Sequence, residues 1–188
     1  MLIDPKTGLL PEARQVPSPN YDERPEGQPI DLLVIHAISL PAGEFGGPWI
    51  DDLFCNRLDA QAHADFPAIC GLTVSAHILI RRDGEMVQYV PFHQRAWHAG
   101  ESSYQGRQRC NDFSIGIELE GCDEQPFEPI QYQQLAQLCR ALMVAYPGIT
   151  PERITAHSDI APGRKTDPGP HFQWQRLHEL LRQSPNEA

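Results

Sequence analysis

The chain has 188 residues, with 15 Lys plus Arg against 25 Asp plus Glu, a formal net charge of −10. This length fits a single domain able to bury a real core. The acidic balance argues against a dedicated binder of nucleic acid or anionic membrane, since both need a basic stripe to neutralise phosphates. Five Cys (55, 70, 110, 122 and 139) form an odd set without a C-x-x-C, so no disulfide framework or zinc ribbon is visible and reduced thiols are expected. The first residues lack a basic stretch followed by an apolar one. The least charged segment, 67–80, is too short for a bilayer and is broken by Pro67 and Gly71. A soluble, cytoplasmic protein is the expectation.

In chain order, residues 1–29 carry six Pro, which fix φ and remove donors, and are expected to form an extended arm on the domain surface. Asp31–His36 (DLLVIH) reads as a buried strand ending at a histidine. A Gly/Pro loop over 41–48 and a short helix over Trp49–Cys55 follow. Ser75–Arg82 and Glu85–Pro91 flank Asp83-Gly84, a strong hairpin signal. Phe92–Asp112 is aperiodic and reads as a long functional loop. Phe113–Glu120 alternates strictly, with Ile115, Ile117 and Leu119 on one face and Gly116, Glu118 and Glu120 on the other.

Gln131–Tyr146 repeats apolar residues at the helical period and stops at Pro147-Gly148. Arg153–His157 is a second short strand that ends at a histidine, and Phe172–Arg182 is a last amphipathic helix before a polar tail, 183–188. The pattern predicts an α/β protein of the α+β type: one domain over 30–182, with a mixed central sheet and helices packed on it.

Two strand-end histidines followed by an acid in a Pro-braced loop suggest His36, His157 and Asp167 as a three-ligand site for a borderline metal, leaving a fourth position for water. Spacing alone leaves this open: eight histidines allow many triples, and satisfied strand-end histidines with a surface Asp are the alternative. Glu118 and Glu120 on an otherwise apolar strand must be paired, neutralised or catalytic if buried, or else lie at a solvated edge. Lys165 stands two residues before Asp167.

Five blocks, LLVIHAISLPAGEFG (32–46), VSAHILIRRDG (74–84), RAWHAGESSYQG (95–106), CNDFSIGIELEG (110–121) and HSDIAPGRKTDPG (157–169), make the chain resemble the zinc-dependent N-acetylmuramoyl-L-alanine amidases of the peptidoglycan-recognition-protein type. The resemblance implies that fold, one zinc per chain on His36, His157 and Asp167, Glu118 as the base that activates water, and Lys165 as the cation facing the developing oxyanion. It implies Trp97 and Arg109 as muropeptide-binding positions, with Arg107 and Arg164 adding to a local basic patch. His77, His98, Asp159 and Glu120 are assigned supporting roles, and His63, His93, His171 and His178 are expected at the surface.

Two departures stand out. Ala37 replaces the usual Asn after the first ligand, removing an amide expected to contact the substrate peptide, and Ser158 replaces the usual Cys after the second. The implied function is hydrolysis of the amide between (1,6-anhydro-)N-acetylmuramic acid and L-Ala during peptidoglycan recycling, by a monomer whose partner is the anhydromuropeptide. Loss of that activity is expected to affect β-lactamase induction where such a circuit exists. A non-cleaving muropeptide-binding module and a zinc peptidase are the rival readings.

Overall fold

The alternating segment becomes the middle of the molecule. In the computed structural model, which describes residues 1–183, Ser114–Glu120 is a strand buried along its whole length. In chain order the strands are β1 (Arg14–Gln15), β2 (Tyr21–Asp22), β3 (Leu32–Ile38), β4 (Ile78–Ile80), β5 (Met86–Gln88), β6 (Arg95–Ala96), β7 (Ser103–Tyr104), β8 (Arg107–Gln108), β9 (Ser114–Glu120) and β10 (Ile154–Ala156). The helices are α1 (Trp49–Phe54), α2 (Pro129–Ala145), α3 (His157–Ile160) and α4 (Trp174–Arg182). The central sheet has six strands in the order β1-β5-β4-β9-β3-β10. It is parallel except at the β4–β5 hairpin, as expected for a mixed α/β sheet.

Alternation along β9 sorts the two faces of the sheet. Ile115, Ile117 and Leu119 join Leu33, Ile35, Ile78 and Ile80 in a core packed under α2, whose Tyr132, Leu135, Leu138, Cys139 and Leu142 face it. Each fully buried Leu in this layer contributes about 1.5–3 kcal/mol. The opposite face carries two smaller apolar clusters. One includes Leu32, Val34, Cys110 and Phe113; the other includes Ile50, Phe54, Leu79 and Val87. The polar residues of β9 share this second face with them.

Several boundaries differ from the sequence expectation. The strand beginning at Leu32 does not stop at His36 but runs to Ile38, because β9 continues beside it as far as the Ile38–Glu120 pair. His157 does not end a strand; it opens α3, where the Asp159 carboxylate accepts the Ala156 N–H at 3.2 Å. The loop 92–112 contains the two-residue strands β6, β7 and β8 and a 3₁₀ turn, Cys110–Asp112. The hairpin turns at Asp83-Gly84 as expected, with Gly84 at φ +90°, but its paired strands are only three residues each.

The Pro-rich arm is not merely a surface strap. β1 forms the edge of the central sheet against β5, β2 pairs with β6, and Leu10, Ser18 and Asn20 are buried. Proline removes a donor only at its own position, so the residues between still pair. The expected polar tail falls outside the described residues except for Gln183.

Candidate active site

The β3–β9 register sets His36 directly beside Glu118, so both side chains leave the same face of the sheet. β10 pairs with β3 through Ala156 and Ile35, which brings the next residue, His157, opposite His36. Asp167 arrives from the loop after α3, and the Ser158 N–H donates to its backbone carbonyl at 3.0 Å. That tether uses the main chain, so Ser in place of Cys at 158 leaves it intact.

Three ligand-type atoms converge as a result. His36 Nδ1 and His157 Nδ1 lie 2.9 Å apart, and Asp167 Oδ2 lies 3.2 Å from the first and 3.0 Å from the second. Among the described residues this is the cluster of His, Cys, Asp or Glu able to hold a metal. His157 Nε2 faces the Ala99 carbonyl at 3.3 Å. A carbonyl can only accept, so that nitrogen carries the proton and Nδ1 presents a lone pair to the cluster. Burial pushes His36 down to about 4 against the pull of Asp167, which keeps its imidazole neutral at physiological pH. Two imidazole nitrogens and a carboxylate, gathered at separations close to the edges of a zinc tetrahedron (roughly 3.3 Å for bonds of ~2.0–2.1 Å), form a donor set that suits a borderline divalent cation.

Glu118 is 8% exposed, and its Oε2 is buried with no hydrogen-bond partner. Burial, reinforced by the negative charge of Asp167 and opposed by Lys165, raises its carboxyl well above the usual range. An unpartnered buried carboxylate beside a metal-type cluster has the position and basicity of a general base. Lys165 is exposed on the loop that delivers Asp167, and its charge acts on both His36 and Glu118.

Glu120 does different work. Its carboxylate accepts from the Gly46 N–H at 2.6 Å and the Arg82 N–H at 3.1 Å and pairs with Arg81 at 3.2 Å, pinning the 41–48 loop to the sheet. Trp97 is half-buried, and its indole N–H donates to Asp22 at 3.1 Å. Arg109 is 70% exposed, in a left-handed conformation (φ +61°) beside Asp112.

Arg107 does not join a basic patch: it pairs with Asp31 at 2.7 Å and lies over the Phe113 ring. Arg164 donates to the Ala99 and Glu101 carbonyls. Ala37 is not brought to the cluster; it packs among the α2-side residues, across the sheet from His36. His93 and His171 are exposed as expected, whereas His63 and His178 are half-buried.

Two residues that hold the site went unnoticed in the sequence. Asn111 Oδ1 accepts from the His98 and Ala99 N–H groups at 3.2 and 2.8 Å. The Arg24 guanidinium reaches the carbonyls of Phe92, His93, Asn111 and Ser114 from the arm. Neither lies in a pattern that periodicity could flag. Gly116, in contrast, could have been flagged as a gap on the polar face of a central strand.

With this geometry, comparison with known proteins is decisive. Residues 26–170 match the family described as N-acetylmuramoyl-L-alanine amidase, and the chain belongs to that family and is an enzyme of that activity. Within the family it is similar to the 1,6-anhydro-N-acetylmuramyl-L-alanine amidase AmpD of Escherichia coli K12, at 63% identity over 93% of this chain and 94% of that one. A crystal structure of a selenomethionine derivative of AmpD superposes with a TM-score of 0.93 at 61% identity, covering 96% of this chain and 99% of that one. The E. coli amidase AmiD, solved in complex with the substrate anhydro-N-acetylmuramic acid-L-Ala-D-gamma-Glu-L-Lys, has 35% identity and a TM-score of 0.60, covering 84% of this chain and 60% of that one. These matches bear out the peptidoglycan-recognition-type fold expected from the five sequence blocks.

Proposed function

We propose that the chain is a zinc amidase that hydrolyses the bond between the lactyl carbonyl of 1,6-anhydro-N-acetylmuramic acid and the amino group of L-Ala, in the recycling of cell-wall fragments. The observation that carries this reading is the buried, unpartnered Glu118 carboxylate standing beside His36, His157 and Asp167. Similarity to AmpD across nearly the full length of both chains supports the anhydro sugar as substrate. The presence of Glu118 and Lys165 with all three ligand residues weighs against a module that binds muropeptides without cutting them.

His36, His157 and Asp167 would hold one zinc ion, which when bound supplies a water acidified to a pKa of roughly 7 and an electrophile for the carbonyl oxygen. Glu118 takes the proton that the attacking water loses and returns it to the departing L-Ala nitrogen, with no side-chain partner to satisfy in the meantime. Lys165 brings positive charge to the carbonyl oxygen as it becomes anionic. Trp97 offers its ring to the muropeptide, and Arg109, with Arg164 and Lys165 nearby, gives an acidic chain a local field suited to a carboxylate-bearing peptide. Ala37 contributes no amide, so peptide recognition falls to other groups.

All five cysteines are unpaired thiols, and among the described residues no helix is long and apolar enough to cross a membrane. The free thiols favour the reducing cytoplasm, where a monomeric enzyme is proposed to act and where loss of activity would let anhydromuropeptides accumulate and raise β-lactamase in a cell with that circuit. Elemental analysis should find one zinc per chain in the wild type and little in His157→Ala. Full zinc occupancy in that variant, or hydrolysis of anhydromuropeptide that persists under a strong chelator, would contradict the reading.

A further inference from the structure

The polar face of β9 supports one half-buried imidazole that the reaction itself does not use. His98 lies against Gly116, where a Cβ would fall 2.4 Å from the His98 ring, so the absence of a side chain there gives the imidazole its seat. His98 Nδ1 is 2.9 Å from His36 Nε2, on the side of the His36 ring away from the ligand cluster. His98 Nε2 is 3.1 Å from Ser114 Oγ, which is 2.6 Å from the Cys110 carbonyl oxygen.

Counting protons fixes the direction of this chain. The Cys110 carbonyl can only accept, so the single hydroxyl proton of Ser114 points to it, and Ser114 Oγ meets His98 as an acceptor. His98 Nε2 therefore carries the ring proton. Its Nδ1 is then the acceptor for an N–H at His36 Nε2, which leaves His36 Nδ1 unprotonated toward His157 and Asp167.

We propose that His98 is a positioning residue for the metal centre: the chain from His36 through His98 and Ser114 to the Cys110 carbonyl sets the His36 tautomer and aims its Nδ1 lone pair at the cluster, with Gly116 as the seat that permits the contact. His157 has its tautomer set by a backbone carbonyl, that of Ala99. For His36 the same task falls to a side chain, which mutation can remove. Partners of this kind commonly change metal affinity by roughly 10–100-fold. The proposal rests on the reading of the cluster as a zinc site, but the tautomers can be observed without zinc.

The test pairs long-range ¹⁵N–¹H spectra of the imidazoles in the metal-free protein with zinc affinity from competition with a chromophoric chelator. The wild type should show His36 and His98 both protonated at Nε2. His98→Phe should lose the fixed His36 tautomer and bind zinc roughly 10–100-fold more weakly. His98→Gln, whose carboxamide oxygen can still accept from His36, should recover part of that loss. A wild-type spectrum with either ring protonated at Nδ1 overturns the proposal even if His98→Phe does not fold. Wild-type zinc affinity in a folded His98→Phe overturns it as well. A wild type that binds no zinc but has the expected tautomers would sink the zinc reading while leaving the hydrogen-bond chain standing.

Discussion

Glu118 and Glu120 are two residues apart on one face of one strand, and the structure gives them opposite environments. Glu118 Oε2 is buried without a partner, whereas Glu120 accepts from Gly46, Arg81 and Arg82. Glu118→Gln keeps size and removes proton acceptance, so kcat should fall by roughly 10²–10⁴-fold with zinc content unchanged. Glu120→Gln sits about 6.5–7 Å further along the strand. It weakens a buried charged network and should lower the unfolding free energy by about 1–3 kcal/mol with a smaller loss of turnover. Steady-state kinetics and urea unfolding of both variants check the pair; a large kcat loss confined to Glu120→Gln would reverse the assignment.

The same carboxyl makes a second prediction, with a definite sign. Because its folded-state pKa is raised above the ordinary 4.5, ionised Glu118 is favoured in the unfolded chain. Its contribution to stability is present below about pH 4.5 and is lost as pH rises through the folded value. Metal-free Glu118→Gln should therefore be more stable than the metal-free wild type at neutral pH, by a margin that shrinks as pH falls toward 4.5. Denaturant midpoints of the two proteins across that range measure it, and a margin that is flat or grows on acidification would contradict the account.

At the scale of elements, the arm and the sheet cannot be treated separately. The family match begins at residue 26, yet the arm before it supplies β1, the buried Leu10 and the Arg24 guanidinium. Arg24 ties together the carbonyls of Phe92, His93, Asn111 and Ser114, the backbone that carries His98 and Ser114. Arg24→Ala leaves those acceptors short of a donor, and one unsatisfied buried group already costs about 1–3 kcal/mol. A loss of at least that size is expected in urea unfolding, and an unchanged midpoint would show that water replaces the guanidinium.

The elements that strict periodicity describes were legible in the sequence. The alternation of FSIGIELE located the central strand and the face that bears Glu118, and the 3.6-residue repeat located α2. The Asp-Gly pair located the hairpin. What periodicity does not encode stayed hidden: the end of β3 is set by the length of β9, and the conversion of His157 from strand end to helix start is set by Asp159. Ala37 was placed by the family pattern rather than by alternation, which sends its side chain to the α2 face of the sheet.

At the scale of the whole molecule, the net charge of −10 coexists with a cation, Lys165, whose charge acts on His36 and Glu118, because contact-range fields outweigh distant charges screened within about 8 Å at physiological ionic strength. The five sequence blocks pointed to His36, His157, Asp167 and Glu118 before any geometry, and the sheet explains why they meet: β10, β3 and β9 lie side by side, so His36 and His157, more than a hundred residues apart, reach one place. The hydrogen-bond chain behind His36 was not legible, because it depends on a loop crossing the sheet at Gly116.

The central claim, that this site cuts the bond between the muramyl lactyl group and L-Ala, is tested most directly by mass spectrometry of the products formed from a purified anhydromuropeptide. The account predicts anhydro-N-acetylmuramic acid and a free peptide beginning with L-Ala, formed by the holoenzyme and abolished by a chelator. Cleavage within the peptide, or an intact substrate after incubation with zinc-loaded enzyme, would contradict it.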